Sequence, residues 1–195
     1  MDLLYDAAVA WNRLMGFQYD IICGKKKKLY PVRLTFSSSD FYHLAGFPHM
    51  KDIVLPVRFS QSKALEKVLE RVITTELVSK SQAYEKTVQY KLTAIVRLER
   101  LLNNCPKMYM YNRSLLPFYT NIPAKYLLVE EQTGVVFLFI DRNESDRCFF
   151  SRSAFMMDDH DFRQNQPSMT ILKISRTDIK TNQAEVLYRR PEFEE

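Results

Sequence analysis

The chain has 195 residues, of which 46% are hydrophobic and 26% charged, and its formal net charge is +5. This composition excludes a disordered protein, and the length predicts a single domain over residues 1–195 with a hydrophobic core of its own. The moderate positive charge permits a polyanionic partner without requiring one.

Several common functional classes lack their sequence motifs in this chain. Only four glycines occur, and no GxGxxG or Walker-type segment is present, which argues against dinucleotide and nucleoside triphosphate chemistry. The three cysteines, Cys23, Cys105 and Cys148, are widely spaced without a CxxC pair, so we expect a reducing cytoplasmic environment and no zinc site. We also expect no cofactor, no signal peptide and no membrane association, because no apolar run reaches about 18 residues.

Hydrophobic periodicity predicts the elements of the first half of the chain. Apolar residues at helical spacing indicate a helix over residues 3–14. Two strands follow, over residues 17–23 and 29–36, and the second alternates apolar and polar residues as a half-buried strand does. The strands are joined as a hairpin by Gly24 and a run of four lysines, Lys25, Lys26, Lys27 and Lys28.

Residues 41–47 read FYHLAGF and form the most informative segment of the sequence. Serines and Asp40 precede it as helix-capping residues, and Gly46 is a natural helix stop, so we expect one or two helical turns. His43 lies between large apolar residues there. It is either a buried structural histidine or a general acid/base held on a short rigid element.

The second half of the chain is predicted to contain two helices and then mostly strands. Helices are indicated over residues 61–73 and from Ser81 to about residue 102. Strands are indicated over residues 108–111, 125–130, 135–141, 147–151, 169–174 and 184–188, and Gln132-Thr133-Gly134 predicts a hairpin. Helices followed by an antiparallel meander are typical of an α+β fold.

Charged clusters suggest two further kinds of site. The four lysines are either a solubilising hairpin tip or a phosphate-contacting loop. Lys63 and Lys67 share a helix face, beside glutamates with which they can pair. The residues Asp158-Asp159-His160-Asp161 form either a solvated loop or, together, part of a divalent-metal site.

The order of the motifs adds a resemblance to a known family. FYHLAGF is followed by helices that carry Lys63 and Lys80-Ser81, by VFLFI at residues 136–140, by CFFS at residues 148–151 and by Asn165-Gln166. In this order the chain resembles the phage-borne Barnase/EndoU/Colicin/RelE-like nucleases, specifically the fourth such family. The hallmarks of that family are an F-x-H-L-x-G segment and an N-Q segment. The resemblance extends over about residues 19–173.

This resemblance implies both a fold and an activity. The implied fold is α+β, with an N-terminal strand pair and helices packed on an antiparallel sheet of about four strands. The implied activity is that of a metal-independent ribonuclease of a phage or mobile element, in which the ribose 2'-OH attacks the adjacent phosphodiester to give a 2',3'-cyclic phosphate. The implied partners are RNA, as tRNA or mRNA, and an immunity or antitoxin protein.

The resemblance also assigns residues to the expected site. His43 matches the family histidine and is the expected acid/base, while Lys63 and Lys80 are expected to stabilise the phosphorane. The residues expected to position the scissile phosphate by hydrogen bonds are Ser81, Ser151 and Gln166. The residues expected to bind RNA are Lys25, Lys26, Lys27, Lys28, Lys67 and Arg97.

Two other functions stay open at this point. An inactive relative would bind RNA or a host protein without cleaving it, and a metal-dependent enzyme would use the Asp158–Asp161 cluster. Convergence of five residues on one basic cleft would favour the ribonuclease, and scatter of these residues over the surface would argue against an enzyme that uses them: His43, Lys63, Ser81, Ser151 and Gln166.

Overall fold

The described α-helices lie within the first 103 residues of the computed structural model, which describes residues 2–56, 59–145 and 147–193. The α-helices are α1 (Leu3–Leu14), α2 (Ser38–Leu44), α3 (Ala64–Leu69), α4 (Thr75–Val78) and α5 (Gln89–Asn103). Short 3-10 helices span Phe47–His49, Gln61–Lys63 and Arg113–Leu115, and a π-helical segment, Tyr84–Val88, leads into α5. None of the described helices is long and apolar enough to cross a membrane.

The helix boundaries follow local capping and backbone geometry. The prediction for α1 is confirmed: Asp2 Oδ1 accepts a hydrogen bond from Tyr5 N at 3.1 Å, and one face of the helix is buried. The α-helix observed within the predicted residues 61–73 is shorter than predicted. It begins only after the 3-10 turn Gln61–Lys63, and it ends before Arg71, whose φ of 59° is left-handed.

Eight strands lie in the described residues, and each corresponds to a strand segment indicated by the sequence. They are β1 (Phe17–Lys25), β2 (Lys28–Leu34), β3 (Lys107–Met110), β4 (Tyr126–Glu130), β5 (Val136–Arg142), β6 (Phe149–Met156), β7 (Ser168–Asp178) and β8 (Ala184–Arg189). The positions of the strands were therefore predictable from hydrophobic patterning.

The arrangement of these strands corrects the predicted fold class. Their order is β1-β2-β6-β5-β4-β3-β7-β8, and β1 also pairs with β7, so seven strands close into a mixed barrel with β8 added outside the ring. The α+β fold with an antiparallel sheet of about four strands is therefore wrong. The N-terminal strand pair does not pack on a separate sheet, because it belongs to the same sheet and closes it.

Two pairings produce the closure. The first is the pairing of β1 with the long strand β7. The other edge of β7 pairs with both β3 and β8. The second is a short parallel pairing of β2 with β6, in register at Leu34 and Phe149, where Thr35 N donates to Phe149 O at 3.0 Å. Neither contact has a local sequence signature, because both join segments that are distant along the chain.

Two hydrophobic clusters cover both faces of the strands β4 and β5. Leu128 and Leu138 pack in the larger cluster with α1 and α5, whereas Leu127 and Phe137 pack in a smaller aromatic cluster. This burial on both faces explains the continuous apolar run VFLFI. The indole of Trp11 donates to Ser37 O at 3.0 Å, and this hydrogen bond fixes the start of α2 against α1.

Candidate functional site

His43 and Ser151 are the two predicted catalytic residues that line a common cavity. This His43 pocket measures about 250 Å³ and is lined by Asp40, His43, Phe150, Ser151 and Arg152. His43 is exposed in the last turn of α2, so the alternative that it is a buried structural histidine is wrong. Ser151 is only 3% exposed, and its Oγ has no hydrogen-bond partner among the described residues. A buried hydroxyl without a hydrogen-bond partner is uncommon, and the Ser151 Oγ atom is itself almost inaccessible to solvent.

Ser81 and Gln166 lie elsewhere and are engaged in structural hydrogen bonds. Ser81 Oγ donates to Asp52 Oδ1 at 2.6 Å and accepts from Ala83 N at 3.2 Å. Gln166 Oε1 accepts from Asn112 N at 2.7 Å, and its Nε2 donates to Asn112 O at 3.1 Å. Both side chains join loops, and neither lines the His43 pocket.

The predicted phosphate-binding cations are also spread over the surface. Lys63 Nζ pairs with Glu66 at 2.6 Å and Lys67 Nζ with Glu70 at 2.6 Å, as the sequence indicated. Arg97 pairs with the buried Glu130 at 2.8 Å, so RNA binding by this guanidinium would require breaking that contact. The remaining residues are exposed or half-buried at other places: Lys25, Lys26, Lys27, Lys28 and Lys80. The predicted site residues therefore do not converge on one cleft.

A second cavity, of about 320 Å³, contains a different group of ionisable side chains. We call it the Lys91 pocket, after the lysine at the start of α5. Its polar lining comes from three separate stretches of the chain, and its apolar lining includes aromatic residues. The residues that line it are His49, Lys86, Thr87, Tyr90, Lys91, Ile122, Ser153, Phe155, Met156, Asp158, His160 and Phe162.

Lys91 is a buried cation whose charge is not balanced by a carboxylate. It is 9% exposed, its Nζ donates to Ser153 Oγ at 3.3 Å, and the Nζ lies 5.8 Å from the centre of the Phe155 ring. Among the described residues, no carboxylate forms an ion pair with it. Burial lowers the pKa of Lys91 to about 8. A buried amine of this kind favours an anion in the adjoining pocket.

The glycine of FYHLAGF shapes one wall around Lys91. Gly46 has a φ of 83°, and a Cβ at this position would lie 3.2 Å from Lys91 Cδ and 3.2 Å from Val88 Cγ2. Both the left-handed backbone and the close approach require glycine. The chain then enters the 3-10 helix that ends at His49, so the FYHLAGF segment places His49 at the Lys91 pocket.

The two histidines of the Lys91 pocket have different surroundings. The pKa of His49 is lowered by burial and by the nearby cations Lys91 and Lys51, so its imidazole is neutral near neutral pH. His160 follows β6, where Asp158 Oδ1 accepts from His160 N at 3.0 Å and lies 3.8 Å from His160 Nδ1. The His160 ring also packs against Phe118 with centroids 4.5 Å apart. One imidazole is therefore suited to accept a proton, and the other is held in place by a carboxylate and an aromatic ring.

Both pockets are bordered by the same strand, β6. Residues 150–152 of this strand line the His43 pocket, and residues 153, 155 and 156 line the Lys91 pocket. All three histidines of the sequence thus line two pockets along one strand. The π-helical segment Tyr84–Val88 also borders the Lys91 pocket, and such segments occur frequently at functional sites.

Sequence reasoning assigned no role to Lys91 or His49, and it placed His160 in either a solvated loop or a metal site. One signal was present for Lys91. It lies three residues after Val88 and four before Ile95, so it falls within the apolar stripe of the helix. No comparable local signal exists for the histidines, because their proximity to Lys91 depends on how the loops fold back on β6.

The carboxylate cluster after β6 makes contacts within its own loop. Asp158 accepts from the backbone of His160, and Asp161 Oδ1 pairs with Arg163 Nε at 2.8 Å. Among residues 2–56, 59–145 and 147–193, no group of three or more His, Cys, Asp or Glu side chains is arranged to hold a metal ion.

A family comparison agrees with the chemistry of these pockets. A neutral imidazole, a positioned imidazole and a buried ammonium group can together transfer protons and bind a phosphate. The family model described as phage-Barnase-EndoU-ColicinE5/D-RelE like nuclease4 matches residues 3–191. No curated protein and no solved structure matches the chain. The match includes every residue of both pockets.

Proposed function

Because the chain belongs to the phage-Barnase-EndoU-ColicinE5/D-RelE like nuclease 4 family, we propose that it is a metal-independent endoribonuclease whose reaction takes place in the Lys91 pocket. The observation that carries this proposal is the buried ammonium group of Lys91, which has no carboxylate partner among the described residues and lines the same cavity as His49 and His160. A phosphodiester would supply the anion that this group lacks among the described residues.

In the proposed reaction, Lys91 and Ser153 bind the non-bridging oxygens of the scissile phosphate. The ammonium group stabilises the phosphorane more than the ground-state phosphate, because the phosphorane carries more negative charge. This difference lowers the activation barrier. Because Lys91 is already buried, water screens this interaction little. The hydrogen bond between Lys91 Nζ and Ser153 Oγ fixes the amine before the substrate arrives.

His49 and His160 are assigned opposite roles in proton transfer. Neutral His49 accepts the proton of the 2'-OH as the O2'–P bond forms, and His160 donates a proton to the leaving 5'-oxygen as the P–O5' bond breaks. The products are a 2',3'-cyclic phosphate and a free 5'-OH. The lowered pKa of His49 supports its role as the base, and the contact with Asp158 supports an oriented His160.

The His43 pocket, in this proposal, receives the nucleotide next to the cleaved bond. The exposed imidazole of His43 is available there for a hydrogen bond to phosphate or ribose, and the covered Ser151 hydroxyl, which has no partner among the described residues, lies beside it. This gives His43 a substrate-positioning role, whereas its expected role as the acid/base is the alternative to be tested. A toxin function with an immunity or antitoxin partner stays a prediction.

The test is cleavage of a fluorescent single-stranded RNA in the presence of EDTA. We expect cleavage by the wild-type protein, a 2',3'-cyclic phosphate product, and no cleavage when the RNA carries 2'-deoxyribose throughout. We expect K91M, H49Q and H160Q each to lower kcat by at least about 100-fold. The control K180M changes an exposed lysine beyond β7 and should retain full activity.

Other results would contradict specific parts of the proposal. If H49Q and H160Q keep full activity and H43Q is inactive, the reaction takes place in the His43 pocket and not in the Lys91 pocket. Loss of cleavage in EDTA, with recovery on adding a divalent cation, would contradict metal independence. Binding of RNA without cleavage by the wild-type protein would identify an inactive relative.

A further inference from the structure

A third and larger cavity lies beyond the other end of β6, outside both pockets. This basic cleft, of about 800 Å³, is bordered by β1, β2, β7 and the ends of β4, β5 and β6. Its lining contains five cationic side chains and one carboxylate. These charged residues are Asp20, Arg33, Lys125, Arg142, Arg147 and Lys173.

The cleft exists because β2 and β6 separate. Among the described residues, the two strands pair only at Leu34 and Phe149. Leu34 is the last residue of β2 and Phe149 is the first of β6, so the rest of each strand lies on the opposite side of this pair. Residues 29–33 of β2 therefore line the cleft without β6 as a neighbour. The gap results from the closed topology and is not a loop feature.

Three of the five cations of the cleft have no carboxylate partner among the described residues. Arg33 pairs with Asp20 at 2.9 Å. Lys125, Arg142 and Arg147 form no ion pair with any carboxylate of the described residues, although Asp141 and Glu144 line the groove beside them. Arg147 also has a left-handed φ of 63°, a conformation that costs energy for a residue with a side chain. Three unpaired cations around one cavity favour a polyanion.

The floor of the cleft is apolar and partly aromatic. Tyr30 is half-buried and Leu29 is 60% exposed, so these two side chains are accessible from the cleft, whereas Tyr126 and Phe149, which are 3% and 4% exposed, belong to the hydrophobic core. Cations around an aromatic floor are the combination that binds single-stranded nucleic acid, through phosphates and stacked bases. An inorganic anion would use the cations but leave the aromatic floor empty. A duplex could not insert a base here, because its bases are stacked inside the helix.

We propose that the basic cleft is a second RNA-binding site, which holds an unpaired nucleotide of the substrate strand away from the cleaved bond. The strand β6 connects this site to the Lys91 pocket: Phe149 lines the cleft and Ser153 lines the pocket, about 13 Å apart along an extended strand. The inference rests on the proposed RNA substrate, but not on the catalytic roles of the histidines. The substrate is then a single strand longer than a dinucleotide.

Binding of an uncleavable RNA tests the cleft independently of catalysis. The probe is a fluorescent 2'-O-methyl hexanucleotide, measured by anisotropy with the full chain. We expect R142Q/R147Q to weaken binding at least tenfold and to reduce the slope of log K against log salt by about 1.4, at about 0.7 per phosphate contact. The control R113Q/K180Q removes the same charge outside the cleft and should change binding by less than about twofold, because screened surface charges contribute little.

A second variant tests the aromatic floor. Y30L keeps an apolar side chain but removes the ring, and we expect it to weaken hexanucleotide binding by about fivefold or more through loss of stacking. Circular dichroism and the thermal midpoint of each variant show whether it is folded. Cleavage of a dinucleotide, which does not reach the cleft, should be unchanged in R142Q/R147Q and in Y30L.

Three outcomes would overturn the proposal. The first is equal binding by R142Q/R147Q and the R113Q/K180Q control. The second is an affinity for AMP equal to that for the hexanucleotide, which would identify the cleft as a binding site for free nucleotides. The third is binding to vesicles of anionic lipid without binding to the hexanucleotide. Absence of cleavage by the wild-type protein would contradict the proposed function but leave this test valid.

Discussion

At the scale of single residues, Lys91 shows how a buried charge can oppose stability. Its amine is buried beside Ser153 and Phe155 with no carboxylate partner among the described residues, and burial lowers its pKa from 10.5 to about 8. The protonated lysine is therefore less favourable in the folded protein than in the unfolded chain. Such a cost is understandable where the charge binds a substrate anion.

We predict that K91M stabilises the protein at pH 7 and that this gain disappears at high pH. Below pH 8 the amine is protonated in both states, so the full cost of about 3 kcal/mol is present in the wild-type protein. Between pH 8 and 10.5 the unfolded chain binds more protons, so wild-type stability rises with pH and approaches that of K91M. Urea unfolding of both proteins from pH 7 to about pH 10.5 measures this difference.

The exposed neighbour Lys86 provides the control for this prediction. K86M should change the unfolding free energy by less than about 0.5 kcal/mol at each pH, because exposed substitutions have small effects. A K91M protein that is less stable than the wild type at pH 7 would show that the lysine contributes more through packing than it costs through its charge.

At the scale of elements, the β1–β2 hairpin combines an unfavourable turn with a strongly basic sequence. Its two-residue loop consists of Lys26 and Lys27, with φ values of 47° and 62°. Positive φ at both positions defines the type I′ turn, where Asn-Gly is preferred. The lysines of the turn therefore cost stability, although the charge of the run can contribute to RNA affinity.

We predict that K26N/K27G stabilises the hairpin and weakens RNA binding at the same time. Each lysine in a left-handed conformation costs about 1 kcal/mol, so the thermal midpoint should rise. The matched variant K25Q/K28Q removes the same charge from strand positions without positive φ. It should weaken binding equally and leave the midpoint unchanged. Unchanged anisotropy binding of the hexanucleotide in both variants would exclude the lysine run from the RNA interface.

The polar side of the helix α5 is covered by another element of the structure. By helical spacing, Arg97 and Arg100 lie outside the apolar stripe of this helix. In the structure both guanidiniums contact Glu130, at 2.8 and 2.7 Å, and Arg97 Nη1 donates to Thr133 O at 2.8 Å. The β4–β5 hairpin therefore covers that side of α5. Helical spacing identifies a polar side but does not show which element packs against it.

At the scale of the whole molecule, closure of the sheet determines where stability resides. The seven strands of the ring each have neighbours on both sides, whereas β8 pairs only with β7. Val186 in β8 is 56% exposed, and residues 184–186 are exposed as a group. Few buried contacts hold β8, so it can open without opening the ring.

We predict two classes of amide exchange in this sheet. Amides of β8 should exchange through local opening, with protection far below that of Leu128 or Leu138 in the ring. The ring amides should exchange only with global unfolding, so added urea should accelerate them strongly and β8 weakly. Native-state hydrogen exchange with mass spectrometry measures both. Equal protection and equal urea dependence in β8 and β5 would contradict the distinction.

The sequence by itself determined the local elements and the family. Alternation and helical spacing located α1 and all eight strand segments, because these patterns record which side of each segment is buried. FYHLAGF and the N-Q pair indicated the nuclease family that the comparison then matched. The glycine stop at Gly46 was also visible as a local signal.

Only the tertiary structure decided how the strands pair and which residues meet. The ring closes through contacts of β7 and of Leu34 with Phe149, and the Lys91 pocket joins residues from distant segments. These outcomes depend on long-range packing, since periodicity gives the buried face of a segment but not its neighbour. Likewise, whether Lys91 is exposed or buried depends on what covers α5, which no local pattern specifies.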